Sequence, residues 1–203
     1  MPSRKFVLWE VDVQADFMLP GGKLYVPGAE KIIPNIKRLV DVARERRALL
    51  ISSACSHTTD DPEFQTFPPH CLQGTPGARI VPEGLAEDVS TIPTNAVFKL
   101  PPDLLEHQQI VIEKQMLDVF SNPHTSSIVE KLPRDAEFVV FGVVTEYCVG
   151  LAAKGLLDRG RKVAIVTDAI ETLKVDEGHR TVSNLTALGA RLITTNEALA
   201  AIV

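Results

Sequence analysis

A chain of 203 residues has room for one well-buried domain and too little for two, so a single domain over residues 1–203 is expected. Its 45% hydrophobic and 23% charged residues are ordinary for a globular fold, and a formal net charge of -5 without a compensating basic tract speaks against a nucleic-acid partner. No apolar run approaches the roughly 20 residues a membrane helix needs, and Met1 to Lys5 carries no cleavable signal pattern, which together predict a cytoplasmic protein with no membrane partner.

In chain order, Phe6 to Val11 reads as a strand, Ala29 to Arg46 as a helix and Ala48 to Ser53 as a second strand. The basic run Arg44 to Arg47 is expected to be solvated surface. From Cys55 to about Pro82 no period holds, and Pro62, Pro68, Pro69 and Pro76 with Gly74 and Gly77 interrupt any regular element. A loop this long in a compact domain usually carries function, and this one holds His57, His70, Cys55, Cys71 and several acids. Beyond it come a short strand Ile110 to Glu113, a short helix Ser126 to Lys131 and a strand Glu137 to Val144. A helix from about Glu146 to Leu157, a strand Lys162 to Val166, a helix from about Val175 to Leu188, a strand Arg191 to Thr194 and a closing helix complete the chain. Wholly apolar runs such as Phe138-Val139-Val140-Phe141 suit strands covered on both faces. The alternation predicts the α/β class: a three-layer α/β/α domain around a doubly wound, mainly parallel sheet of about six strands.

In such a sheet ligands bind beyond the carboxyl ends of the strands. Three reactive side chains fall there: Asp12 after the first strand, Lys114 after Ile110 to Glu113, and Cys148 just past the strand ending at Val144. Taken singly each has an ordinary role, as a turn aspartate, a surface lysine and a small buried hydrophobe. Taken together they fit covalent catalysis. The first turn of a helix is expected to lower the pKa of Cys148, a carboxylate can move the thiol proton, and a lysine can hold that carboxylate. The three cysteines, Cys55, Cys71 and Cys148, are too few for a disulfide scaffold.

Asp12-Val13-Gln14-Ala15-Asp16-Phe17, Phe67-Pro68-Pro69-His70-Cys71, Lys114 and Gly142-Val143-Val144-Thr145-Glu146-Tyr147-Cys148-Val149, in that order and spacing, resemble the isochorismatase-like cysteine hydrolase superfamily and, within it, the nicotinamidases. The resemblance spans nearly the whole chain. It implies that Cys148 is the nucleophile, Asp12 the acid/base and Lys114 its partner, in converting nicotinamide to nicotinate and ammonia through a thioester, a step of NAD salvage. It also implies a cis peptide at Val143–Val144, which would aim the Val144 and Cys148 amides at the oxyanion, and places Phe17 and Phe67 against the substrate ring. Members of the family often assemble as oligomers, and no segment here singles out an interface.

The same resemblance implies a divalent ion, held by an Asp-x-His pair, a later His or Glu, and the His of Pro-Pro-His. His57 and His70 match and Glu63 falls at the variable position, but Cys55 stands where the aspartate is usual. Thiolate, imidazole and carboxylate form a good zinc set, so zinc is the expected ion. The competing reading is that Cys55 is a neutral substitution in a site that holds no metal. That departure also keeps a second substrate class open, a carbamoyl or ureido amide. Cys71 is expected to be buried packing, and His107, His124 and His179 to be surface or capping residues.

Overall fold

Runs of β-branched and aromatic residues become β1 (Phe6–Val11), β2 (Leu49–Cys55), β4 (Gln109–Lys114), β5 (Glu137–Gly142), β6 (Lys162–Ile170) and β7 (Arg191–Ile193), while the less regular Val-Ser-Thr-Ile stretch forms β3 (Val89–Ile92). The computed structural model describes residues 5–202; residues 1–4 of the stretch read for a leader signal, and residue 203, lie outside the described residues. All seven strands join one parallel sheet in the order β3-β4-β2-β1-β5-β6-β7. The three-layer α/β expectation therefore holds, but the count of about six strands is corrected to seven. β3 escaped the sequence reading because it is four residues long, pairs on one side only and is half exposed along most of its length.

The helices are α1 (Ala15–Met18), α2 (Ala29–Arg44), α3 (Thr125–Glu130), α4 (Gly150–Asp158), α5 (Val175–Ala187) and α6 (Thr195–Ile202). Ile32, Ile36, Leu39, Val40 and Ala43 recur at helical spacing along α2, and with Ala198 and Ile202 of α6 they cover one face of the sheet through Leu8, Leu50, Val139 and Phe141. Ile128 and Val129 of α3, Ala152 and Leu156 of α4 and Leu185 of α5 cover the other through Val7, Trp9, Ile51 and Phe138. No helix among the described residues is long and apolar enough to cross a membrane.

Two details depart from expectation for physical reasons. Glu45, Arg46 and Arg47 are exposed as expected, but Arg44 is only partly solvated: at the end of α2 its guanidinium donates to the carbonyls of Leu85 (3.0 Å) and Pro82 (2.9 Å), tying down the loop before β3. The helix expected from Glu146 instead opens with a wide π turn, Thr145–Val149, before α4 begins.

β1 is where the winding reverses, because β2, β4 and β3 lie to one side of it and β5, β6 and β7 to the other. The carboxyl ends of β1 and β5 thus frame the crevice in which ligands of such sheets bind. Gly142 makes the closure possible: it has φ of 116°, and a Cβ there would strike the backbone of Val11. The Val143–Val144 peptide that follows is cis.

Candidate active site

The chain ends β1 with Asp12 at φ 50°, a left-handed backbone uncommon for a residue with a side chain. That turn directs the Asp12 carboxylate over the sheet edge, where Ser53 Oγ donates to Oδ1 at 2.6 Å and Lys114 Nζ meets Oδ2 at 2.9 Å. Lys114 reaches it because β2 and β4 pair in register, with Cys55 opposite Lys114. The same Nζ lies 3.1 Å from Cys55 Sγ and 3.5 Å from Cys148 Sγ. Asp12, Lys114 and Cys148 are all buried. The structure brings together the three strand-end residues singled out in the sequence, and sets Ser53 and Cys55 beside them.

Burial alone would press the Lys114 ammonium toward neutrality, but Asp12 together with the Cys148 and Cys55 sulfurs outweighs it and holds the ammonium well above its ordinary range. Cys148 goes the other way from the expectation of a lowered thiol. Burial pushes it well above its ordinary value, and the pull of Lys114 does not compensate. The turn that carries it does not overcome that desolvation. That direction favours the neutral thiol, and reaction at this sulfur would need a base beside it.

His57 and His70 approach from the long loop, which is ordered by contacts the sequence did not reveal. The Gln14 side chain donates to the carbonyls of Cys55 and Ala78, both at 2.7 Å, and accepts from the Cys55 amide at 2.7 Å. Asp16 accepts from the Cys71 amide at 2.7 Å, and Cys71 is packed in the core as expected. The ligand atoms of Cys55, His57 and His70 all lie within 4.8 Å of one another. His57 Nδ1 pairs with Asp61 Oδ2 at 2.9 Å, which leaves a buried Nε2 with no hydrogen-bond partner. His70 Nδ1 pairs with the Pro68 carbonyl at 2.8 Å, and burial holds that imidazole below its ordinary pKa, in the neutral form a ligand needs. Carboxylate and carbonyl partners behind two imidazoles are the outer contacts that orient metal-bound histidines. The residues fit a divalent ion, and the orphaned His57 Nε2 is the observation that says so. Glu63 stands at the edge of the group, its Oε1 3.8 Å from His70 Nε2, with burial raising its carboxyl. Burial likewise pushes the Cys55 thiol up to about 12 against the pull of Lys114, so a metal held there would have to displace its proton.

Over Cys148 lies a small apolar cavity of about 20 Å³, enough for one water, walled by Phe17, Phe67, Leu117, Tyr147 and Leu173. Phe17 packs 5.2 Å from the His70 ring, and Phe67 meets Tyr147 edge-on at 5.8 Å. Phe17 is both core and wall, and Phe67 is half-buried at the mouth. A much larger cleft of about 930 Å³ lies between residues 73–82 and the β2–β4–β3 edge, but Asp12, Lys114, Cys148, His57 and His70 do not line it. Cys148, Glu63 and His70 line the small cavity. Leu117, Tyr147 and Leu173 were not foreseen; only Tyr147 carried a signal, as the neighbour of Cys148. His107 pairs with Asp88 and His124 with the Asn95 carbonyl, both away from the site.

Residues 7–197 match the Isochorismatase domain family. The chain is 27% identical to the nicotinamidase of Escherichia coli (strain K12), covering 96% of each. It is also 27% identical to the pyrazinamidase of Pyrococcus horikoshii, solved in complex with zinc, with a TM-score of 0.74 over 94% of this chain and 99% of that one. At 20% identity, the N-carbamoylsarcosine amidase of Thermoplasma acidophilum shares the fold, with a TM-score of 0.71 over 94% and 96% of the two chains.

Proposed function

We propose that this chain, which belongs to the Isochorismatase domain family, is an amidohydrolase that converts nicotinamide to nicotinate and ammonia through a thioester at Cys148. The observation that carries the reading is one buried lysine, 2.9 Å from Asp12 and 3.5 Å from Cys148, beneath an apolar cavity bordered by His70. Likeness to the E. coli nicotinamidase supports the hydrolase class and the choice of amide.

The chemistry follows from the charges. Asp12 takes the Cys148 proton as the sulfur attacks the carboxamide carbon, which turns an inert buried thiol into a nucleophile at the moment of reaction. The Val144 and Cys148 amides, on the turn that the cis peptide shapes, receive the oxyanion. Lys114, 2.9 Å from Asp12, holds that carboxylate in place and supplies the counter-charge beside the reacting sulfur. Asp12 then gives that proton to the departing nitrogen, and ammonia leaves as the C–N bond breaks. Water admitted to the cavity loses a proton to Asp12, adds to the thioester and frees nicotinate and the thiol. Phe17 and Phe67 hold the flat ring against apolar walls.

Cys55, His57 and His70, with Glu63 at their edge, are the residues that would hold a divalent ion, and the thiolate selects zinc. When bound, the ion supplies an anchor for a ring nitrogen. The substitution at Cys55, together with the fold shared with a carbamoyl amidase, favours a carbamoyl or ureido amide as the second reading. Ammonia release over a panel containing nicotinamide, pyrazinamide and N-carbamoyl amino acids separates the two. The first reading requires nicotinamide to lead by kcat/KM, and an N-carbamoyl compound in front with nicotinamide inert overturns it.

A further inference from the structure

The outer wall of the cavity is not part of any strand or helix. It is the segment 171–174 between β6 and α5, and its Leu173 side chain, 37% exposed, reaches over the same cavity as Cys148. An apolar side chain on an irregular segment holds its place only if the backbone is fixed, and here the fixing comes from the nucleophile turn itself. Glu146 lies in that turn, and its Oε1 accepts from the amides of Leu173 (3.0 Å) and Lys174 (2.8 Å). Its Oε2 accepts from Thr172 Oγ1 at 2.5 Å. On the same turn, the Thr145 amide and Oγ1 donate to the Glu171 carbonyl at 2.9 and 2.7 Å. Gly178 in α5 leaves room for Thr172 to come close, since a Cβ there would meet the Thr172 side chain.

Nothing in the proton path described above uses Glu146, yet it spends both carboxylate oxygens on one four-residue segment. We propose that Leu173 sets the size of amide the site admits, and that Glu146 is the positioning residue that holds it over Cys148. The cavity of about 20 Å³ is too small for a ring carboxamide, so the wall must give way when substrate enters. Phe17 is locked in the core, whereas Leu173 is the exposed member of the wall. Its displacement admits a flat, unsubstituted ring and resists one that carries bulk on its outer edge. A pocket wall distinguishes a single methylene by roughly 10–200-fold, so removing most of a leucine side chain should be read easily.

The proposal rests on Cys148 as the reacting group but not on nicotinamide as the substrate, and the experiment keeps the two apart. Alkylation of Cys148 by iodoacetamide and by N-phenyl iodoacetamide is followed by mass spectrometry of the Cys148 peptide. The ratio of the bulky to the small rate constant cancels any change in thiol reactivity and reads only access. Leu173→Ala should raise the ratio at least about tenfold. Glu146→Ala should raise it in the same direction, and Glu146→Gln should restore it, because the amide oxygen still accepts from the Leu173 and Lys174 backbones. If Glu146→Ala fails to fold, Leu173→Ala still decides. A ratio in Leu173→Ala within about twofold of the parent, well short of that methylene discrimination, overturns the proposal. An absence of ammonia from nicotinamide leaves this reading of the wall untouched and counts against the substrate alone.

Discussion

Replacing Lys114 by Met keeps the volume of a fully buried side chain and removes its charge. At the observed 2.9 Å, and at an effective dielectric of about 20, the attraction to Asp12 is about 6 kcal/mol before desolvation is set against it. Intact, such a pair contributes little net stability, because both ions were taken out of water. Broken, it leaves the Asp12 carboxylate buried beside two thiols, with only the Ser53 hydroxyl as a short hydrogen-bond partner. The expected cost is about 3–5 kcal/mol of folding stability. Urea unfolding of the parent, Lys114→Met, Asp12→Asn and the double variant measures it. The double variant should be less destabilised than the two singles combined, by about 0.5–3 kcal/mol, since no bare charge remains. Iodoacetamide should label Cys148 more slowly in Lys114→Met, because Lys114 is the charge that pulls its pKa down. A Lys114→Met protein within about 1 kcal/mol of the parent, below the range for a broken buried pair, together with additive costs in the cycle, would refute the reasoning.

Three further outcomes are expected. Burial pushes the Glu10 carboxyl from about 4.5 to about 8, above its unfolded value, so its contribution is complete below about pH 4.5 and is lost as pH rises through about 8. At about 1.36 kcal/mol per unit this amounts to roughly 4–5 kcal/mol; Glu10→Gln should flatten the fall in stability between about pH 4.5 and pH 8, and parallel curves over that range would exclude Glu10 as its source. The isolated protein should carry close to one zinc-like ion per chain, as metal analysis reads it, with Cys55→Ala depleted and Cys55→Asp still loaded; equal, negligible metal in all three would mean the loop acts without an ion. Cobalt substitution should show a thiolate-to-metal absorption band that Cys55→Asp lacks, and its presence in that variant would remove Cys55 as the ligand.

What a single chain discloses here depends on whether a feature is local. Val7 to Trp9, Ile110 to Ile112 and Phe138 to Phe141 are apolar runs, and Asp12, Lys114 and Cys148 follow them by three, two and seven residues, so the rim bearing the three could be read from the sequence. β3 could not, because an edge strand that is half exposed has no strong apolar signature. Ser53, Gln14 and Glu146 were overlooked for another reason. Their partners lie 41, 41 to 64, and 26 to 28 residues away, and only the folded chain brings them together. The expected lowering of the Cys148 pKa failed because the sequence shows the turn and not the desolvation around it. Cys55 is the opposite case: the sequence marked it as a departure, and the structure gives it two neighbourhoods, the imidazoles of His57 and His70 and the ammonium of Lys114.

The covalent step is the centre of the account, and rapid acid quenching during nicotinamide turnover, followed by mass analysis of the Cys148 peptide, tests it directly. The account predicts a nicotinoyl group on Cys148 that builds within the first turnover, decays as substrate is exhausted, and is absent from Cys148→Ala together with ammonia release. Ammonia release by Cys148→Ala within about tenfold of the parent, or roughly 1.4 kcal/mol of barrier, with no acyl adduct on the parent cysteine, would contradict it.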